Sequence, residues 1–225
     1  MAQPTTARGR RTRTALLDAT RALLEERGFG ALTMAAVAER AGVTRRSVYL
    51  HFASRAELVG ALFDHVAEAE GLADSLERVW DAADAGAALD AWAAHLARYH
   101  TRVLAVDRAV AREQHNDPDA AAHRARTSQA KYANCRRLAQ WLQAEGRLVP
   151  PWTAVTAADI IFALSASDVV EGLTVDRRWS RGRLATHLGA LLRAALTGTA
   201  TATAGTSCGG TAGRDTGRTG CAARN

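Results

Sequence analysis

Helix start and stop signals recur along nearly the whole chain, and no stretch alternates apolar and polar residues as a half-buried strand does. An all-α fold of packed helices follows. Residues 11–27 place Leu16, Leu23 and Leu24 near one face and close on Gly28, the residue type that ends a helix in a left-handed turn. Thr33 caps a short helix from Met34 to Arg40, Ala41-Gly42-Val43 turns the chain, and Thr44 caps the next helix. Ser54-Arg55-Ala56-Glu57 has capping-box spacing, with Glu57 reaching back to the Ser54 N–H, and opens a longer helix through Leu58, Leu62 and Val66. A helix around 86–104 carries Leu89, Trp92, Leu96, Tyr99 and Val103 at helical spacing. Asp117-Pro118 opens a long helix to Gly146. After Pro150-Pro151, Thr156 and Asp159 open an apolar helix from Ala157 to about Asp176. Ser180 caps a last one with Leu184, Leu188, Leu191 and Ala195 on one stripe. The tail, 198–225, is rich in Gly, Thr and Ala and is expected to be disordered.

Charge divides this helical chain in two. Residues 1–56 hold ten arginines against Asp18, Glu25, Glu26 and Glu39, so the whole formal excess of +6 lies in the first quarter. The remainder balances 19 basic against 19 acidic groups. A concentrated basic segment attracts polyanions, nucleic acid above all, although a solvated basic arm would have the same composition. The three cysteines, Cys135, Cys208 and Cys221, lack metal-ligand spacing, and their odd number argues against a disulfide framework. No apolar run approaches the ~20 residues that span a bilayer, and the first thirty residues lack a signal peptide's apolar block. A soluble cytoplasmic protein is the expectation.

Two short helices joined by a Gly-containing turn, set on a longer preceding helix, form the pattern of a helix-turn-helix. In the segment TRRSVYLHF, Thr44 to Phe52, the 3.6-residue period puts Thr44, Val48 and Phe52 on one side, toward Val37, Ala38 and Leu23 or Leu24. Arg46 and Leu50 fall opposite, flanked by Ser47 and Tyr49, with Arg45 at the N-terminal shoulder. A recognition helix enters the major groove by its N-terminal end, where arginine donates twice to guanine and an apolar group meets a thymine methyl.

Residues 14–62 resemble the DNA-binding domain of the tetracycline-repressor (TetR) family of bacterial transcription regulators. The resemblance lies in ALLDATRALLEERGFGALTMAAVAERAGVTRRSVYLHFASRAEL, with its Gly-aromatic-Gly after the first helix, its threonine cap, A-E-R-A-G-V-T, and Y-x-H-F before S-R-x-E-L. It implies that Arg45, Arg46, Ser47 and Tyr49 face the groove and that Thr33, Tyr49 and His51 meet phosphates. It also implies that Arg55 lies near the DNA backbone; Thr44 and Leu50 complete the expected DNA-binding set. The sequence departs from the family pattern at Arg46, often Gly or Pro, and at Leu50, often polar or aromatic; these two are expected to set base preference. Arg8, Arg10, Arg11 and Arg13 fit either an arm reaching DNA or an unstructured basic leader.

The resemblance divides the chain into a basic flexible arm (1–13), a helix-turn-helix domain (14–56), a ligand-binding and dimerisation domain (57–197) and the tail. It implies a repressor that binds a pseudo-palindromic double-stranded DNA operator as a homodimer and is released by a small-molecule effector, with residues 58–70 carrying the shift. Leu184, Leu188 and Leu191 could line the dimer seam or belong to the core. Trp92, His95, Tyr99 and His100, with Trp141 and Phe162, are candidate pocket walls, although each has a plain reading as core or surface. Asp168 is the candidate polar group, since an acid within IIFALSASDVV needs a partner if buried.

Rival classes fit less well. The sequence has no G-x-S-x-G, H-E-x-x-H, phosphate-binding Gly loop or zinc-fit Cys/His spacing, so neither catalysis nor a cofactor is expected. A non-specific DNA-packing protein would not need a large neutral body. A regulator answering to a protein partner stays open.

Overall fold

The computed structural model describes residues 6–197, and every described element is helical. The expectation for the tail, including Cys208 and Cys221, lies outside the described residues. No helix among the described residues is long and apolar enough to cross a membrane.

α1 spans Ala7–Arg27. It begins earlier than the sequence suggests because the Thr6 side chain accepts from Gly9 N at 3.1 Å and caps it. Residues 7–13 are therefore helical instead of forming part of a flexible arm, and Arg8, Arg10, Arg11 and Arg13 ride on the first turns. α1 ends at Gly28, whose φ of 79° favours glycine. α2 (Met34–Arg40) and α3 (Arg45–His51) follow, each opened by a threonine that accepts a backbone N–H three residues on. α4 (Arg55–Ala69) is capped by Ser54, and Glu57 reaches back to the N–H of Ala53 at 2.7 Å, one residue before the Ser54 N–H that the motif predicts.

The body comprises α5 (Leu72–Trp80), α6 (Ala85–His95), α7 (Thr101–Glu113), α8 (Pro118–Ala144), α9 (Ala154–Leu164), α10 (Ser167–Glu171) and α11 (Arg181–Thr197). The helix expected over 86–104 is α6 and α7 joined through a π turn, Leu96–His100. The single helix expected from Ala157 to Asp176 is divided: α9 starts earlier, under a Thr153–Thr156 capping box, and stops at Leu164. α10 and a second π turn, Gly172–Asp176, follow.

Two apolar cores organise these helices. One gathers Leu16, Leu23, Leu24, Phe29, Val37, Val48, Phe52, Leu58 and Leu62 from the N-terminal helices and extends to Val103, Val106 and Val110 of α7. α7 packs on α1 and on the Phe29–Ala31 turn, so the N-terminal unit shares its core with the body. The second core lies within the body and includes Leu89, Trp92, Leu138, Leu142, Ile161, Leu184, Leu188 and Leu192. Leu184 and Leu188 are thus buried against their own chain and are not available at a dimer seam; of the three expected there, only Leu191 is exposed, at 51%. The period of the stripe is right, but its inner edge is filled by α6.

α11 and α6 approach closely at Gly189. A Cβ there would come within 2.6 Å of Asp90 Oδ1, 3.5 Å of Asp90 Cα and 3.6 Å of Ala93 Cβ. Helix propensity would favour replacing this glycine by about 0.8 kcal/mol, but overpacking costs of order 1–3 kcal/mol. Gly189→Leu is therefore expected to lower stability by about 1–2 kcal/mol in urea titration; a gain in stability would mean the two helices separate freely.

Candidate nucleic-acid interface and body cavity

α3 is seven residues long, buries Val48 and the following Phe52 completely, and projects its other side chains outward. Arg45, Arg46, Tyr49 and Leu50 are exposed, Leu50 at 70% and Tyr49 at 43%. The Arg45 guanidinium donates to the Tyr49 hydroxyl at 3.3 Å and lies over its ring, so one arginine and one aromatic form a joint surface. Arg46 and Leu50, one turn apart, stand beside it. Thr33 and Thr44 are exposed caps. Thr44 thus does not pack inward with Val48 and Phe52; its hydroxyl is taken up by Ser47 N. Ser47 and His51 are half-buried. Burial, then Arg13, lowers the His51 pKa and favours its neutral form at pH 7.

Arg13 and Arg55 are among the arginines of the basic segment that have partners within the protein. Arg13 donates to the His51 carbonyl at 3.2 Å and lies over the Phe52 ring, tying α1 to the end of α3. Arg55, expected near the DNA backbone, has its partners within the protein. It donates to the Leu32 carbonyl at 2.8 Å, to Asp119 Oδ2 at 2.6 Å, to Asp117 Oδ2 at 2.9 Å and to the Phe29 carbonyl at 3.3 Å, over the Phe29 ring. The planar guanidinium fits several acceptors at once, and two carboxylates at the start of α8 attract it more than solvent does. Arg55 is therefore a joint between the N-terminal unit and the body.

Behind α4, the body encloses a cavity of about 470 Å³, within the size range of small-molecule sites. Of the expected wall residues, Trp92, His95, Tyr99 and Phe162 line it, as does His100. Trp141 does not: it packs half-buried against the body core. Asp168 does not either; it is exposed and borders an adjoining depression with Arg108 and Glu171, so it needs no buried partner. The wall also includes Phe63 and Val66 of α4, Leu76 of α5, Val103, Val106 and Asp107 of α7, and His123, Arg124, Lys131 and Asn134 of α8. These were not legible as a set because they come from helices far apart in sequence.

The π turn accounts for the histidines. On a regular helix, residues five apart diverge, but the wider turn at Leu96–His100 brings His95 and His100 edge to face, with ring centroids 5.8 Å apart. His95 Nδ1 pairs with Ser75 Oγ at 2.9 Å, Lys131 donates to the Ser165 carbonyl at 3.0 Å, and Ser167 donates to Asp107 at 3.0 Å. His123 stacks on Phe63, linking α8 to α4 across the cavity wall. Burial drives each ionisable group here toward its neutral form. His95 falls to about 4, His100 and His123 to about 3, and Tyr99 rises to about 12. Asp107 is raised and Lys131 lowered for the same reason.

An imidazole in an unfolded chain titrates near ~6.5. Between about pH 6.5 and about pH 4, the unfolded chain binds protons that these three folded histidines do not, so stability falls as the pH falls. Above that window both states are neutral and the histidines add no slope. Each contributes at most ~1.4 kcal/mol per pH unit, and Asp107, shifted upward, opposes them at the acidic end. Urea titrations are expected to show stability a few kcal/mol lower near pH 5 than near pH 7, with a shallower dependence in His123→Phe; equal stabilities would contradict the buried neutral imidazoles.

The model of the family described as bacterial regulatory proteins, tetR family, matches residues 16–62, which span α1 from Leu16 to Leu62 of α4. The HTH-type transcriptional regulator TtgR of Pseudomonas putida is 37% identical over 84 residues, 37% of this chain and 39% of TtgR. The match thus spans about two fifths of the length of that curated relative. Among solved structures, native NalD, the secondary repressor of the MexAB-OprM multidrug efflux pump in Pseudomonas aeruginosa, superposes with a TM-score of 0.63 at 21% identity, over 84% of this chain and 96% of NalD. A transcriptional regulator from Saccharomonospora viridis in complex with choline gives 0.64 at 16% identity, over 83% and 98%. At these identities the structures speak for the fold alone. The helix-turn-helix at α2 and α3 lies wholly within the matched residues 16–62, so this segment of the chain is similar to the bacterial regulatory proteins of the tetR family.

Proposed function

We propose that this protein is a TetR-family transcriptional regulator, a repressor that binds a pseudo-palindromic operator as a homodimer and releases it when a small molecule fills the body cavity. The observation that carries this reading is the position of the cavity: its wall includes Phe63 and Val66 of α4, the helix that belongs to the N-terminal core. The S. viridis relative, crystallised with choline, supports a ligand-holding body for this fold. Two-fold symmetry would set the two α3 helices in successive major grooves.

A ligand would act on the reader along two routes. One is α4 itself, through Phe63 and Val66. The other is α8, whose His123 stacks on Phe63 and whose first turn holds Arg55 through Asp117 and Asp119. A ligand that favours one arrangement of α4 and α8 changes the spacing of the α3 helices. A coupling of ~1–3 kcal/mol changes DNA affinity ~5–150-fold.

Fluorescence titration with the promoter region of the neighbouring genes is expected to reveal a site bound far more tightly than random DNA at matched salt. An Arg46→Ala, Tyr49→Ala double variant that keeps its helix content should lose that preference; equal affinity for random DNA in the unaltered protein would refute specific binding. Arg55 separates two roles. A phosphate contact contributes about 0.9 to the salt slope of binding, whereas an internal joint contributes none. Arg55→Met is expected to leave the salt slope unchanged while reducing the effect of ligand on operator affinity.

A further inference from the structure

One face of α8 offers the cavity more hydrogen-bond donors than the protein uses. Arg124, Ser128 and Lys131 stand at i, i+4 and i+7, so they share that face, and all three line the cavity, as does Asn134. Among the described residues, the half-buried side chains of Arg124, Ser128 and Asn134 make no hydrogen bond or ion pair. Lys131 gives one of its three N–H groups to the Ser165 carbonyl. Donors withdrawn from water without a partner favour a ligand that accepts.

Charge points the same way. Toward the interior the lining has two cations, Arg124 and Lys131, and one acid, Asp107; Asp64 and Arg126 are exposed at the rim and of opposite sign. Lys131 and Asp107 cancel whether both are charged or both neutral, which leaves the charge of Arg124 in excess. That charge acts on Asp107, Lys131 and His123, three groups of the cavity wall, and this places the guanidinium among them. None of the nearby acids answers it. Asp107 is bonded to Ser167, and in the adjoining depression Glu171 is held by Arg108 at 2.6 Å while Asp168 is exposed. The rest of the lining is mainly apolar, with Phe63, Val66, Leu76, Trp92 and Phe162.

We propose that the cavity binds an amphipathic monocarboxylate, an apolar ring system bearing one carboxylate, with the carboxylate on Arg124 and the neighbouring donors of α8. The inference rests on reading the cavity as the effector site. A planar guanidinium meets a carboxylate through two parallel bonds, and one negative charge matches the one positive charge in excess. A cation would add to that excess, and an uncharged ligand would leave Arg124 half-buried and unpaired.

Four probes test it, titrated calorimetrically into the full chain near pH 7 without DNA: β-naphthoate, its uncharged counterpart β-naphthamide, β-naphthylmethylammonium and acetate. β-Naphthoate is expected to bind about tenfold more tightly than the amide, and the ammonium more weakly than either. Acetate, which has the charge without the rings, should bind on the order of a hundredfold more weakly than β-naphthoate. In Arg124→Gln the naphthoate-to-amide ratio should fall to about one, and Arg124→Lys should keep part of it. In the unaltered protein, the NMR resonance of Arg124 Nε should move further with β-naphthoate than with β-naphthamide, a reading that does not depend on a variant folding. Equal or tighter binding of the amide or the ammonium, acetate as tight as naphthoate, a ratio unaffected by Arg124→Gln, equal movement of the resonance, or no binding of β-naphthoate would each overturn the proposal. Operator release is measured separately. If another compound releases the operator while β-naphthoate does not bind, this inference falls and the repressor reading stands; if β-naphthoate binds through Arg124 but DNA is never bound specifically, the reverse holds.

Discussion

The apolar contact between α7 and the N-terminal helices governs how everything else in the molecule is arranged. Val103, Val106 and Val110 are buried in the same core as Leu16, Leu23, Phe29 and Leu62. Each such side chain is worth roughly 1.5–3 kcal/mol when removed from water. Sliding the helix-turn-helix away from the body would expose several at once, so the two parts move as packed solids past one another and not as beads on a linker. The face of α7 that joins this core is continuous with the residues that line the cavity. Space for a ligand and support for the reader are therefore two sides of one helix.

Polar contacts set the register of that joint. Arg55 stands where the N-terminal unit, the start of α4 and the start of α8 meet, and its acceptors come from all sides: carbonyls of Phe29 and Leu32, carboxylates of Asp117 and Asp119. Apolar packing is tolerant of small slips, but a planar donor with fixed directions is not. Asp117 also caps α8 through Asp119 N and Ala120 N. A rotation of α8 thus disturbs its own first turn and the cation that orders the reader's edge together.

What was legible in the sequence follows the range of the interaction. Thr33, Thr44 and Ser54 declare caps within four residues, and the inward Val48 and Phe52 follow from helical period, so the shape of the reader was plain. The carboxylate partners of Arg55 were hidden because they lie about sixty residues away, and spacing along the chain carries no record of them. The π turn escaped for a different reason: a regular period assigns His95 and His100 to different faces, and one altered turn places them in the same cavity. Leu184 and Leu188 showed an apolar face without showing whether a neighbour in the same chain or a second copy would cover it. Asp168 suggested a buried acid only because its neighbours are apolar; a break in the helix after Leu164 turns it outward.

Arg13 has a consequence for how α3 meets DNA. A helix of seven residues does not hold its shape alone in water. Here Thr44 closes the N-terminal end, and the cation of Arg13, bonded to the His51 carbonyl, sits at the negative end of the helix dipole. Part of the basic leader is thus a clamp that keeps a short helix formed before any contact with a groove. The ordering cost is met during folding, and the exposed Arg45, Arg46, Tyr49 and Leu50 are carried on a helix that is already formed.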